Sequence, residues 1–347
     1  MKNKLIIISA IVIALVGTVL FWKFQLKGKL PGSNNQAKQE QQFLSIVGTP
    51  VEQKISETRP IAVVIENHTD ARPQSGLTSA NIVYETLAEG GITRLLALYQ
   101  TNSPKEIGPV RSARPYFNFL ANEWNAVYAH VGGSTIALSE ISSGIHKKLT
   151  DINQFFFGDF FYRSKDRIAP HNAYTTLDLL HALMDKKGWN NWETKHTLGE
   201  FETIPTNALQ TTVTKITAKF FDPSYAVLFT FDPATGLYNR TNGGKPAKDK
   251  NNDTQIAPRN VLIEYVEDYV VPLENDINGV GLKLEQDGKA ILFTGGKATE
   301  GTWRYKNGFT EYITTGEDGQ SQAMKFQPGQ TWIILMPQSL SNNVTWQ

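Results

Sequence analysis

An uninterrupted apolar run, Ile61 to Ile65 in RPIAVVIEN (59–67), is closed by Pro60 on one side and Asn67 on the other. A run this short and this uniform predicts a strand buried on both faces. GLTSANIVYETLAEGG (76–91) then predicts a helix, with Thr78 or Ser79 as cap and Gly90 and Gly91 as stop. ITRLLALYQT (92–101) and NAVYAHVGGS (125–134) predict a second and a third strand. Between them SARPYFNFLANEWNA (112–126) predicts a helix with Tyr116, Phe119, Leu120 and Trp124 near one face. STIALSEISSG and TTLDLLHALMDKKG predict two more helices, the latter ending at Gly188. Strands alternating with helices predict an α/β N-terminal domain with a mainly parallel sheet over residues 58–199. After residue 200, YAVLFTFD, NVLIEYVED, KAILFTGG, GTWRYKN and QTWIILMP are short β-type runs between turn residues. They predict a β-rich C-terminal domain over 200–347.

Upstream the pattern changes character. Lys2 and Lys4 precede LIIISAIVIALVGTVLFW (5–22), which carries no charge. At about 1.5 Å per residue the run covers roughly 27 Å, close to a bilayer core. It lacks the small-residue end of a cleaved signal peptide. Residues 1–22 therefore read as a transmembrane signal anchor, with the membrane as partner through residues 5–22. Residues 23–57, centred on LPGSNNQAKQEQQ, read as a polar linker. The expectation is a single-pass protein of the cell membrane with its globular part extracytoplasmic. Lys23, Lys27 and Lys29 beyond the run rival the charge before it, so the positive-inside rule does not set the orientation.

Composition narrows the class. The 347 residues are 40% hydrophobic and carry a net charge of +1, with no Lys/Arg-rich run. Nucleic acid is not an expected partner. No cysteine is present, which excludes disulfides, thiolate catalysis and Cys-ligated zinc within this sequence. GxGxxG, Walker A and H-E-x-x-H patterns are absent, so neither a cofactor nor a metal site is expected.

Ligands of open α/β sheets sit beyond the carboxyl ends of the strands. Three predicted strand exits deliver polar groups there: Glu66, Asn67, His68 and Arg72 after the first; Gln100, Thr101 and then Arg111, Ser112 and Arg114 after the second; His130, Gly132, Gly133 and Ser134 at the third. With Ser112 as cap, Arg111 and Arg114 stand at a helix N-terminus, where backbone N–H groups favour an anion. Glycine amides of Gly132 and Gly133 add donors. The opposing reading pairs one of the arginines with Glu66, Glu85 or Glu89 inside the fold. YRSKDRIAPHNAY (162–174) contributes Arg163, Arg167, His171 and Asn172 from an irregular stretch before a helix, with Asn172 as the cap of that helix. Tyr238, Asn239, Arg240 and Asp249 in LYNRTNGGKPAKD are candidates for sugar contacts. VGGST does not match the nucleophile elbow. The catalytic candidates are His171 or Glu66 as general base, and Ser134 with His171.

The order and length of RPIAVVIENHTDARPQSGLTSANIVYETLAEGGITRLLALYQ, IGPVRSARPYFNFLANEW, HVGGS, APHNAY, YNRTNGGKPAKD and PGQTWIILMP resemble the YerB-like lipoprotein family, over roughly residues 58–338. The resemblance implies an exported, membrane-attached protein of the bacterial envelope and marks Asn67, Gln74, Glu89, His130 and His171 as motif members. It supplies no activity, and the lipid-bearing cysteine of the family is missing here. Three readings stand side by side: a binding protein for an anionic envelope ligand, glycan or phosphate-containing polymer, at an Arg-lined cleft; an envelope-polymer hydrolase or transferase; or an envelope assembly protein with an unidentified protein partner.

Overall fold

The N-terminal half supplies strands β1 (Ile61–Glu66), β2 (Ile82–Leu87), β3 (Thr93–Tyr99), β4 (Val127–His130) and β5 (Thr150–Asn153), with helices α1 (Pro115–Glu123), α2 (Thr135–Ser143) and α3 (Leu177–Lys187). The C-terminal half supplies β6 (Lys215–Ala218), β7 (Val227–Asp232), β8 (Leu237–Asn242), β9 (Lys245–Pro246), β10 (Asn260–Val266), β11 (Asp287–Thr294), β12 (Lys297–Lys306), β13 (Phe309–Thr315), β14 (Ser321–Ala323), β15 (Thr331–Pro337) and β16 (Val344–Trp346). These come from a computed structural model, which describes residues 43–193, 195–205, 211–272 and 278–347.

The expected α/β domain with a mainly parallel sheet is not what forms. One eleven-stranded sheet runs through both halves in the order β14-β13-β12-β11-β10-β15-β2-β3-β1-β4-β5. It is mixed: β1–β4, β4–β5, β10–β15 and β15–β2 are parallel, whereas β1–β3, β2–β3 and the arm from β10 to β14 are antiparallel. A second sheet has the order β9-β8-β7-β6-β16. Residues 43–347 form a single compact unit, and the order from Phe43 onward cuts into the expected linker, since FLSIVG is apolar and buries Ile46 and Val47. The predicted anchor, 5–22, lies outside the described residues. Among the described residues no helix is long and apolar enough to cross a membrane.

The misread element is decisive. The stretch expected as a helix over 76–91 contains β2, all six of whose residues are buried. A short apolar run surrounded by turn residues has no period that separates strand from buried helix. Tertiary pairing settles it: β3 hydrogen-bonds one edge of β2, and β15, from the far end of the chain, hydrogen-bonds the other. Burial on both faces comes from alternation. Ile61, Val63 and Ile65 face one apolar cluster with Leu177, Leu180, Phe229 and Trp332; Ala62 and Val64 face another with Phe117, Leu120 and Trp124.

The helix ends are local chemistry. Ser134 Oγ accepts from Ala137 N–H at 3.3 Å and caps α2; Thr176 Oγ1 accepts from Leu179 N–H at 3.1 Å and caps α3, in place of the expected Asn172. Helix α3 stops at Gly188, which sits at φ +71°, a left-handed position that favours glycine. Helix α1 has Pro115 in its first turn and Arg114, not Ser112, as the residue before it.

Candidate functional site

Polar groups converge at one sheet edge, but not because three strands exit there. Strands β1 and β3 are antiparallel, so Gln100 lies at the opposite edge, where its Oε1 accepts from Ile46 N–H at 2.9 Å. The arginine segment returns instead. Residues 109–113 thread between the diverging ends of β1 and β4: Glu66 N–H donates to Pro109 O, Arg111 N–H to Val64 O, Val131 N–H to Arg111 O and Ala113 N–H to Gly132 O, at 2.9 to 3.0 Å. This wedge, with the start of β3, brings Arg94, Arg111 and Arg114 beside the ends of β1 and β2.

Both expected anion-gripping arginines are already paired. Arg114 Nε donates to Glu89 Oε2 at 2.8 Å and its Nη2 donates to Glu89 Oε1. Arg94 Nη2 reaches the same Oε1 at 2.9 Å. Burial alone would push the Glu89 carboxyl up, but Arg94 and Arg114 outweigh it and bring it down to about 2. The anion expected at the N-terminus of α1 is therefore Glu89 itself. Arg111 Nε lies 3.1 Å from Glu66 Oε1. The glycine turn is consumed internally as well: Gly132 N–H donates to Asn153 Oδ1 at 3.1 Å and Ser134 N–H to Ala113 O at 3.2 Å. His130 is fully buried, with Nδ1 2.6 Å from Gly132 O and Nε2 2.5 Å from Asp151 Oδ1, and pins that turn to β5. Ser134 Oγ serves as the cap of α2, and no hydrogen bond joins it to His171 among the described residues. Arg163 and Asn172 bond each other at 3.0 Å and hold their loop, and Ser112 O accepts from Arg114 Nη1 at 3.4 Å.

His171 does meet Glu66: its Nδ1 lies 3.0 Å from Glu66 Oε2, and its ring stacks on His68 at 4.8 Å. The two residues offered as alternative general bases are therefore neighbours, a contact not expected from the sequence.

A second constellation, unread as such in the sequence, joins the two halves. Glu85, in the middle of β2, is fully buried. Arg240 Nη2, from β8, donates to both of its oxygens at 3.0 and 2.9 Å, and Trp332 Nε1, from β15, donates to Oε2 at 2.9 Å. The Arg240 guanidinium also lies 4.4 Å from the Trp332 ring centre. Asn67 donates to Thr93 Oγ1 at 2.6 Å, and its Oδ1 accepts from Gln74, Asn242 and Arg72 at 2.8, 2.9 and 3.1 Å. Arg72 Nη1 donates to Ser224 O at 2.7 Å, and its guanidinium lies 4.8 Å from the Tyr225 ring centre. Burial, and then Arg240, lower the pKa of Arg72.

Above these groups opens a cleft of 490 Å³, lined among others by Arg72, Gln74, Arg240, Asn242, Lys245 and Lys248. One N–H on each Nη of Arg72 and both on Nη1 of Arg240 have no partner among the described residues. The sugar-contact candidates divide: Arg240 lines the cleft, whereas Tyr238 is core and donates no side-chain bond to it, its hydroxyl accepting from Gly296 N–H at 3.0 Å. Asp249 is buried and clamps the halves together, accepting from Gly76 and Thr78 N–H at 3.0 and 2.9 Å. The available signal was Glu85 itself: a carboxylate in a largely apolar run, once buried, needs hydrogen-bond donors or a cation around it.

Two family models match the chain. The N-terminal domain of DUF3048, a protein of unknown function, matches residues 46–190, and the DUF3048 C-terminal domain matches 216–333. A relative from Bacillus subtilis (strain 168), named "Putative lipoprotein YerB", is 34% identical over 294 residues, spanning 84% of this chain and 85% of its own. The crystal structure of YerB protein from Bacillus subtilis superposes with a TM-score of 0.75 at 31% identity, covering 87% of this chain and 98% of that one.

Proposed function

The chain belongs to the DUF3048 family of proteins of unknown function, and we propose that it is a membrane-associated, extracytoplasmic protein that binds an anionic envelope ligand in the cleft between Arg72 and Arg240. The lipoprotein name of its relative and the apolar run at 5–22 support the location. The carrying observation for the ligand is a charge imbalance. Arg240 takes both oxygens of Glu85, which Asn67, Thr93 and Trp332 also approach. Arg72 makes no ion pair among the described residues, its nearest opposing charges being Glu85 and the exposed Asp222. Lys245 and Lys248 add positive charge to the lining, and Asp253, its one carboxylate, is held by Lys248 at 2.7 Å. Guanidinium groups with unpartnered N–H that line a partly enclosed space match phosphate or carboxylate oxygens. Arg72 and Gln74 come from the N-terminal family domain and Arg240, Asn242 and Lys245 from the C-terminal one, so an occupant contacts both.

The test is binding of poly(glycerol phosphate) and of inorganic phosphate to the detergent-solubilised full chain by calorimetry. Lys245→Glu with Lys248→Glu reverses the rim charge without touching the buried network. Affinity should fall roughly tenfold or more, and the wild-type affinity should weaken as salt rises. Equal affinity of wild type and double variant for both probes would refute the reading.

A further inference from the structure

We propose a second site, independent of the arginine cleft: His68, Asp70 and His171 hold one divalent transition-metal ion of the zinc class. One ligand atom from each of the three lies within 4.8 Å of the others. They reach this place from separate segments. His68 and Asp70 come after β1 at the opening of the turn Thr69–Ala71, and His171 comes from the loop before α3. No spacing rule connects residue 68 with residue 171, which is why the histidine pattern of the sequence shows no metal motif.

Three observations point to a ligand rather than to an accidental cluster. First, Glu66 is 4% exposed, and its Oε2 makes no hydrogen bond among the described residues; His171 Nδ1 is its neighbour at 3.0 Å. A carboxylate behind one ring nitrogen is the arrangement that orients a metal-bound imidazole, and ligation through Nε2 would place the proton on Nδ1 and let a small ring rotation close that bond. Second, the His68 and His171 rings stack at 4.8 Å with 17° between planes, which brings two nitrogen donors to one side of the loop. Third, a hollow of 360 Å³ opens beside His171 and Asp70, leaving room for a fourth, exchangeable ligand.

The geometry is that of a site awaiting closure. Ligands around zinc sit about 2.0–2.2 Å from the ion, so the donors must draw together by roughly 1.5 Å. Asp70 is 70% exposed at its side chain and is free to swing inward. The donor set also selects the ion. Two imidazoles and one carboxylate favour zinc, nickel or copper, whereas calcium and magnesium require oxygen-rich shells. Lys165, Asp166 and Arg167 line the same hollow, with Asp166 paired to Lys250 at 2.9 Å and Arg167 tied by donation to Ala71 O and Pro73 O, so Lys165 and Arg167 leave the lining with positive charge. These cations oppose a hard dication that depends on charge alone, and they favour an anionic fourth ligand.

The experiment is calorimetric titration of zinc into untagged, metal-stripped full chain, with cobalt absorption as a second readout and the thermal midpoint as a third. The expected result is one equivalent bound, a raised midpoint and cobalt bands of low coordination number. His68→Ala and His171→Ala should each weaken zinc at least tenfold and abolish the cobalt bands. Glu66→Gln, acting through His171, should weaken it by about 10- to 100-fold. If His171→Ala does not fold, the partly exposed His68→Ala decides. No stoichiometric zinc uptake by the wild type, uptake unchanged in His68→Ala, or a preference for calcium or magnesium would overturn the assignment.

Discussion

Arginines at the α1 edge and arginines at the cleft have the same chemistry and opposite circumstances. At the edge, Arg94 and Arg114 converge on Glu89, and Arg111 stands against Glu66, so the cations meet carboxylates of the chain. At the cleft, Arg72 and Arg240 have Glu85 between them, and the lysines of the rim add to the surplus. The difference lies in what surrounds the forks: Arg114 is filled by Glu89 and backbone carbonyls, whereas Arg72 and Arg240 keep spare N–H groups at a cleft rimmed by Lys245 and Lys248. A guanidinium whose fork is filled is a structural brace; one that retains free N–H groups beside an opening is available to a ligand.

The largest effect that would break this contrast is at Glu85. Removing it with Glu85→Ala leaves Arg240 buried without a counter-charge, and the loss should be about 3–5 kcal/mol in urea denaturation. A loss below about 1 kcal/mol would mean that the cleft arginines are compensated elsewhere, and the contrast would collapse.

Acid titration probes the edge. The Glu89 carboxyl stands at about 2 in the folded chain, against 4.5 for an unperturbed one. A depressed carboxyl contributes stability that is fully present above the unfolded value and is lost as pH falls through the folded one. The window is therefore pH 4.5 down to about 2, with an upper bound of about 3 kcal/mol. Arg114→Ala should flatten that limb of the stability profile.

Carboxyls without a paired cation behave in the opposite sense. Glu264 is pushed up to about 8 and Glu123 up to about 7, in both cases first by burial. An acid raised by folding stabilises below its unfolded pKa and costs stability as pH rises to the folded value. Glu264→Gln should therefore gain about 1–2 kcal/mol at pH 8 and nothing at pH 4. A pH-independent difference would contradict the assignment.

The smallest expected effects sharpen the comparison most. Lys245→Glu should change folding stability by no more than about 0.5 kcal/mol, because its side chain is exposed. Arg111→Ala should leave phosphate-polymer affinity within about twofold. If Arg111→Ala reduces that affinity as much as the lysine reversal does, the ligand lies at the edge and not in the cleft.

Several elements were legible in the chain. The β1, β3 and β4 runs, α1, α3 and its stop at Gly188, and all five named runs of the C-terminal half are where their patterns place them. The opposing reading of the arginines, that acids of the chain neutralise them, was legible too, with Glu66 and Glu89 among the acids it named. The error at residues 76–91 had the larger consequence. Read as a helix, the segment fixes no neighbour for Glu85; read as a strand, it puts the carboxylate in the middle of the sheet and asks what pairs with it. Arg72, Gln74 and Arg240 were visible as polar residues in loops or turns, but no local pattern joins position 85 to 240 or 332.

By itself the sequence determined what depends on neighbours along the chain: apolar runs, the glycine stop at Gly188, the absence of thiols and the family motifs. Tertiary structure alone decided strand direction, the insertion of β15 beside β2, and which carboxylate meets which guanidinium. The reason is physical. Local propensity is set within a few residues, whereas pairing of charges and edges is set by which distant segments are brought within a few ångströms, and that distance is absent from the order of residues.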